Sequence, residues 1–95
     1  MPYALLTVPS VQRQLDALPA RIADGLRDVL RALALDPRSR RFDLKKLVGP
    51  DDRPPLLRLR VGDYRVILQI YHDLQEIRIS AIGHRSNVYR GWPGD

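Results

Sequence analysis

The sequence predicts an α+β fold: a small antiparallel β-sheet with an N-terminal strand and a helical hairpin packed on one face, in the order β-α-α-β-β-β. Three observations carry this expectation. Apolar residues recur at helical spacing between Val11 and Leu33, they alternate at strand spacing between Leu56 and Ile82, and a Gly62-Asp63 pair separates two of the alternating runs. Ninety-five residues, 44% hydrophobic and 28% charged, suit one domain over 1–95 and leave no room for a second.

Tyr3 to Val8 is a short apolar run that reads as a first strand, ended by Pro9, which has no N–H for a sheet interior. Ser10 then stands where an N-cap is expected, and Val11, Leu15 and Leu18 follow at spacings of four and three, one face of a short helix. Pro19 interrupts that helix. In the second, Ile22, Leu26, Val29, Leu30 and Leu33 line one side and Arg21, Asp24, Arg27, Asp28 and Arg31 the other, with Pro37 marking its end. Two such helices joined by a tight turn have apolar stripes that need cover.

The cover comes from the second half. After a basic, proline-punctuated connection from Arg38 to Pro55, Leu57, Leu59 and Val61 face one way, while Leu56, Arg58 and Arg60 face the other. Gly62-Asp63 reads as a type II′ hairpin turn. Tyr64, Val66, Leu68 and Ile70 then alternate with Arg65, Ile67, Gln69 and Tyr71, and a turn over Asp73 to Glu76 leads to a third strand, Ile77 to Ile82. In that strand Ile77, Ile79 and Ala81 alternate with Arg78, Ser80 and Ile82, giving a meander with one apolar face. A short tail runs from Gly83 to Asp95.

The hairpin register has chemical consequences. With Gly62 and Asp63 as the loop, Val61 pairs with Tyr64, so Arg60 lies opposite Arg65 on the face away from the helices, with Arg58 two residues along. Like charges placed there repel. Three converging arginines on an otherwise uncommitted face suit an anion, and the guanidinium fork fits phosphate. The alternative is that one of them, Arg60 foremost, pairs with a carboxylate from the tail or the connection. On this reading Arg65→Ala leaves the fold intact or slightly stabilises it. A four-residue loop in the second hairpin sets His84 opposite Arg65, which makes His84 a candidate proton carrier, or simply a surface residue at a strand end. Tyr89 and Trp92 in the tail are positioned either to stack on a nucleobase or to pack on the core.

Net charge sharpens the picture. Lys and Arg number 16 against 11 Asp and Glu, a net charge of +5 and a pI near 10.2. All of the excess lies between Arg38 and Arg65, nine basic residues against four acidic, whereas the rest of the chain is balanced. A polyanionic partner is implied. With no cysteine and two histidines, His72 and His84, neither a disulfide framework nor a thiolate or histidine-rich metal site is expected, and no cofactor is implied. No apolar run approaches bilayer length and the N-terminus lacks signal-peptide layout, so a cytoplasmic location is the expectation. Paired carboxylates, G-x-S-x-G and phosphate-loop motifs are missing, which leaves catalysis to arginine, lysine, histidine and tyrosine. Cleavage of RNA by its own 2′-hydroxyl needs only such groups.

The segments LRLRVGDYRVILQI, Leu57 to Ile70, and AIGHRSNVYR, Ala81 to Arg90, resemble the RelE/ParE superfamily of toxin-antitoxin toxins. LDALPARIADGLRDVLRALALDPR and KKLVG match that family's helical hairpin and the connection after it, so the resemblance covers residues 3–90. It implies a toxin neutralised by a cognate antitoxin, in a complex that represses its own operon. Within the superfamily one branch cuts mRNA in the ribosomal A site and the other poisons DNA gyrase. The G-H-R-x-x-V-Y tail is similar to the RNA-cleaving branch, which implies a ribosome-dependent mRNA endoribonuclease that works without metal and leaves a 2′,3′-cyclic phosphate.

Carried over by position, Arg65 contacts the scissile phosphate, Arg85 stabilises charge or protonates the leaving 5′-oxygen, and Tyr89 stacks on or orients the base. Arg58 falls where that branch has a basic residue, while Lys45 and Lys46, with Arg60, bind ribosomal RNA or phosphate. One departure stands out: Leu56 occupies the position from which a basic residue is expected to activate the 2′-hydroxyl. Arg58, His84 or Tyr89 are the candidates to replace it. A gyrase inhibitor and a catalytically degenerate, antitoxin-binding regulator remain the alternatives.

Overall fold

The computed structural model describes residues 1–47 and 54–89. Seven elements follow one another: β1 (Ala4–Leu6), α1 (Pro9–Asp16), α2 (Ala20–Leu35), β2 (Asp43–Lys46), β3 (Leu57–Val61), β4 (Tyr64–Tyr71) and β5 (Glu76–His84). The α+β class, the helical hairpin on one face and the β3–β4–β5 meander stand as expected from the sequence. The sheet itself is larger and mixed, in the order β1-β5-β4-β3-β2.

Two differences account for this. Part of the basic connection, Asp43–Lys46, forms an edge strand antiparallel to β3, a pairing that its four residues acquire only because β3 offers an unfilled edge. At the other edge β1 runs parallel to β5: both helices carry the chain to the far edge at β2, and the antiparallel succession β2, β3, β4 leads β5 back beside β1. Helix α1 also begins differently. Pro9 takes its first turn, where a missing N–H costs nothing, and Val8 rather than Ser10 is the N-cap, with no side-chain cap bond.

Val11, Leu15, Ala23, Leu26, Leu30 and Leu33 from the helices meet Leu59, Val66, Leu68, Ile70, Ile77, Ile79 and Ile82 from the sheet in the main core. Ile82 belongs there because β5 carries a bulge: Ile67 pairs with Ala81 but Leu68 with Ile79, leaving Ser80 as an extra residue. That extra residue reverses the alternation. Ala81, expected with Ile77 and Ile79, therefore faces the opposite side, and Ile82 turns inward. Beside the irregularity, the Ile82 N–H donates to the Gln14 side-chain oxygen on α1 at 2.8 Å.

The face away from the helices is not bare. Ala81 joins Ile67, Leu47 and Val88 in a second small core, against which Leu56 and Tyr89 pack half-buried. Among the described residues no helix is long and apolar enough to cross a membrane.

Candidate functional site

The β3–β4 hairpin sets the frame of the site. Gly62 takes φ +59°, a region open to glycine at little cost, and the register that follows pairs Val61 with Tyr64 and Arg60 with Arg65. Arg58, Arg60 and Arg65 thus share the outer face, as the turn predicts. Their environments differ sharply. Arg60 is exposed, whereas Arg58 and Arg65 are only 7% and 6% exposed.

The two buried guanidiniums are already engaged, which corrects the expectation of an uncommitted face. Arg58 donates from Nη1 to Asp43 Oδ1 at 2.9 Å. Arg65 donates from its Nη1 to the Gly62 carbonyl at 2.8 Å and to the Tyr64 carbonyl at 3.0 Å, clasping the turn that precedes it. A buried cation bonded to two carbonyls holds structure, so the expected stability-neutrality of Arg65→Ala does not survive. The Arg65 Nε is buried, with no hydrogen-bond partner among the described residues.

The turn also receives the end of β5. The Arg85 N–H donates to the Asp63 carbonyl at 2.9 Å, and its guanidinium Nε stands 3.9 Å from the Asp63 carboxylate, with the side chain 60% exposed. Past this point the chain bends back on itself. The His84 carbonyl accepts from the Asn87 and Val88 N–H groups, each at 2.9 Å. Val88 comes down over Gly83, where a Cβ would lie 3.5 Å from the Val88 Cβ, and Tyr89 reaches the second core.

His84 pairs in register with Tyr64, not Arg65, because the β4–β5 loop is His72 to Gln75, which shifts the pairing by two residues, and the bulge restores only one of them; Gly83 is the residue opposite Arg65. The His84 ring meets Tyr64 edge-on, at 5.5 Å and 84°. Its Nδ1 accepts from the Ser86 N–H at 3.2 Å and lies 2.8 Å from Ser86 Oγ, so the neutral ring carries its proton on Nε2. Such a ring donates from Nε2 to an anion.

Of the two lysines, Lys45 pairs with Arg58 and shares the arginine face, while Lys46 pairs with Leu57 on the helix side; both are exposed. Leu56, half-buried with Tyr89 against the second core, has an apolar role that a basic side chain would disturb. Trp92 and Arg53 lie outside the described residues. A carboxylate of the connection does pair with an arginine of this face, but it is Asp43 with Arg58 rather than with Arg60, and Asp63 beside Arg85 was not anticipated from the sequence. The alternation of Asp43 and Lys45 around Leu44 was the available signal for the Asp43 pairing. Among the described residues no three His, Asp or Glu side chains form a group able to hold a metal ion.

Residues 6–89 match the family model described as the ParE toxin of the type II toxin-antitoxin system parDE. No curated protein gives a significant match. Among solved structures, the chain is similar to the archaeal RelE-RelB complex from Pyrococcus horikoshii OT3, with 29% identity and a TM-score of 0.74 over 93% of this chain and 100% of that one. It is also similar to the RelB-RelE antitoxin-toxin complex from Methanococcus jannaschii, at 20% identity and a TM-score of 0.70 over 93% and 99%. The intact E. coli RelBE toxin-antitoxin complex follows at 18% and 0.67 over 86% and 95%. The last two likenesses speak to the fold alone.

Proposed function

This chain belongs to the RelE/ParE superfamily of type II toxin-antitoxin toxins, and from that premise we propose that it is a ribosome-dependent mRNA endoribonuclease held in check by a cognate antitoxin. The observation that carries the reading is one face of the sheet: Arg58, Arg60 and Arg65 share it, and the tail bend brings Arg85 and Tyr89 back beside the same hairpin. That arrangement matches a reaction in which the substrate brings its own nucleophile.

In this reaction the 2′-hydroxyl oxygen loses its proton and bonds to the adjacent phosphorus while the bond from phosphorus to the 5′-oxygen breaks, the departing 5′-oxygen taking a proton from water. The products are a 2′,3′-cyclic phosphate and a 5′-hydroxyl. Arg85, exposed at its tip and hydrogen-bonded at its backbone, neutralises the phosphorane and covers the departing 5′-oxygen. His84 donates from Nε2 to a phosphate oxygen, Arg60 and Lys45 hold flanking phosphates, and Tyr89 orients the base. Arg65 keeps the turn under Arg85 in shape and adds positive charge from below. Leu56 supplies no base, so the 2′-hydroxyl proton leaves to water or to a ribosomal group. General-base catalysis contributes roughly 10²- to 10⁴-fold, so slow cleavage is expected.

The test is induction without antitoxin, with mRNA ends mapped on translating ribosomes. Codon-phased cuts that vanish in Arg85→Ala support the reading. The matching family model is that of a ParE toxin, and the ParE branch of the resemblance implies one other activity, inhibition of DNA gyrase, for which intact mRNA with broken, gyrase-linked DNA is the signature. Harmless expression with neither outcome points to a regulatory partner of the antitoxin.

A further inference from the structure

Arg58 and Asp43 form an unequal pair. The Arg58 side chain is 8% exposed and built into the sheet, whereas Asp43, on the edge strand β2, is 53% exposed. The carboxylate can swing into water without losing packing; the guanidinium cannot follow it. Register adds a second asymmetry. On the outer face Asp43 pairs with Arg60, and Lys45 pairs with Arg58, so this carboxylate sits among three cations.

We propose that Asp43 is a displaceable internal counterion: its Oδ1 stands where a phosphate oxygen binds Arg58, and an incoming phosphodiester exchanges for it. The identification of that anion as RNA rests on the ribonuclease reading above; the exchange itself does not. Before exchange, Asp43 gives the buried guanidinium a charge-assisted hydrogen bond at 2.9 Å. During exchange, Asp43 turns outward, and Arg60 and Lys45 remain to receive the flanking charge. The same carboxylate weakens binding of free RNA at the edge of the sheet, so that tight binding waits for a surface that supplies additional contacts. Asp43 is therefore a positioning residue, which acts on substrate through Arg58.

Inorganic phosphate is the first probe, at constant ionic strength, read by NMR of the Arg58 Nε–Hε group and the Asp43 carboxylate carbon in the wild-type chain. Both signals are expected to move along one saturation curve. In Asp43→Asn the phosphate affinity, and that for a 2′-deoxy oligonucleotide that cannot be cleaved, rises about three- to tenfold. In an Arg58→Gln background the gain disappears. Unmoved signals in the wild type, unchanged affinity in Asp43→Asn, or an equal gain in the Arg58→Gln background each overturn the exchange, the last by reducing it to net charge. Exchange with phosphate but no RNA cleavage on ribosomes refutes the ribonuclease reading alone; cleavage without exchange refutes this proposal alone.

Discussion

Replacing Arg65 by alanine separates a structural guanidinium from a merely repelled one. The side chain is 6% exposed and donates to two carbonyls of the Gly62–Tyr64 turn, while its register partner is another arginine, Arg60. Hydrogen bonds involving a charged group contribute about 1.5–3 kcal/mol, and relief of a like-charge cross-strand pair returns about 0.2–1 kcal/mol. The bonds win, by about 1–2 kcal/mol. For a domain of this size each kcal/mol moves Tm by roughly 4–8 °C, so a fall of about 5–15 °C is expected in a thermal melt followed by circular dichroism. Because added salt screens Arg60 from Arg65 but scarcely affects the buried bonds, the gap between wild type and variant should widen with salt. A variant as stable as wild type, or more so, would mean that the carbonyl bonds contribute nothing net and that repulsion governs this pair.

Gly25, in the middle of α2, has nothing within 4 Å of an added Cβ, so Gly25→Ala should raise stability by about 0.5–1 kcal/mol; a lower Tm refutes this. His72, whose Nδ1 lies 3.0 Å from the Tyr3 hydroxyl, is held below the usual imidazole pKa of 6.5, first by burial and then by the Arg38 charge, with Asp73 opposing. The folded state therefore favours the neutral ring: this contribution is complete above pH 6.5 and is lost as pH falls through the lower folded value. Melts between pH 8 and pH 5 should lose this acid sensitivity in His72→Gln. Val88, 7% exposed over Gly83, pins the tail, and Val88→Ala should cost about 1–2 kcal/mol. The same variant should bind a non-cleavable oligonucleotide more weakly; unchanged affinity would show that tail docking does not position Arg85 and Tyr89.

Much of the fold was legible because it is written in short-range patterns. The spacing from Val11 to Leu33 marks the helices, and Gly62 at a turn that needs positive φ sets the β3–β4 register, which places Arg60 opposite Arg65. The site residues Arg58, Arg65, Arg85 and Tyr89 could be nominated from the motifs around that turn and the tail.

What the sequence determined by itself, then, is the set of elements with a strong period and the one tight turn between them, since each depends on neighbours within a few residues. Tertiary structure decided the rest, because those features depend on partners distant along the chain. Asp43–Lys46 becomes a strand only against β3, and β1 finds its parallel partner only after the helices have carried the chain to the far edge and β2, β3 and β4 have led β5 back beside it. The bulge at Ser80 shifts β5 by one residue, and with a side-chain period of two that single step sends Ile82 to the main core and Ala81 to the second. It also seats Gly83 opposite Arg65, beneath Val88. The arginine face looked vacant in sequence for the same reason: the groups that occupy it, the Asp43 carboxylate and the turn carbonyls, are supplied by folding.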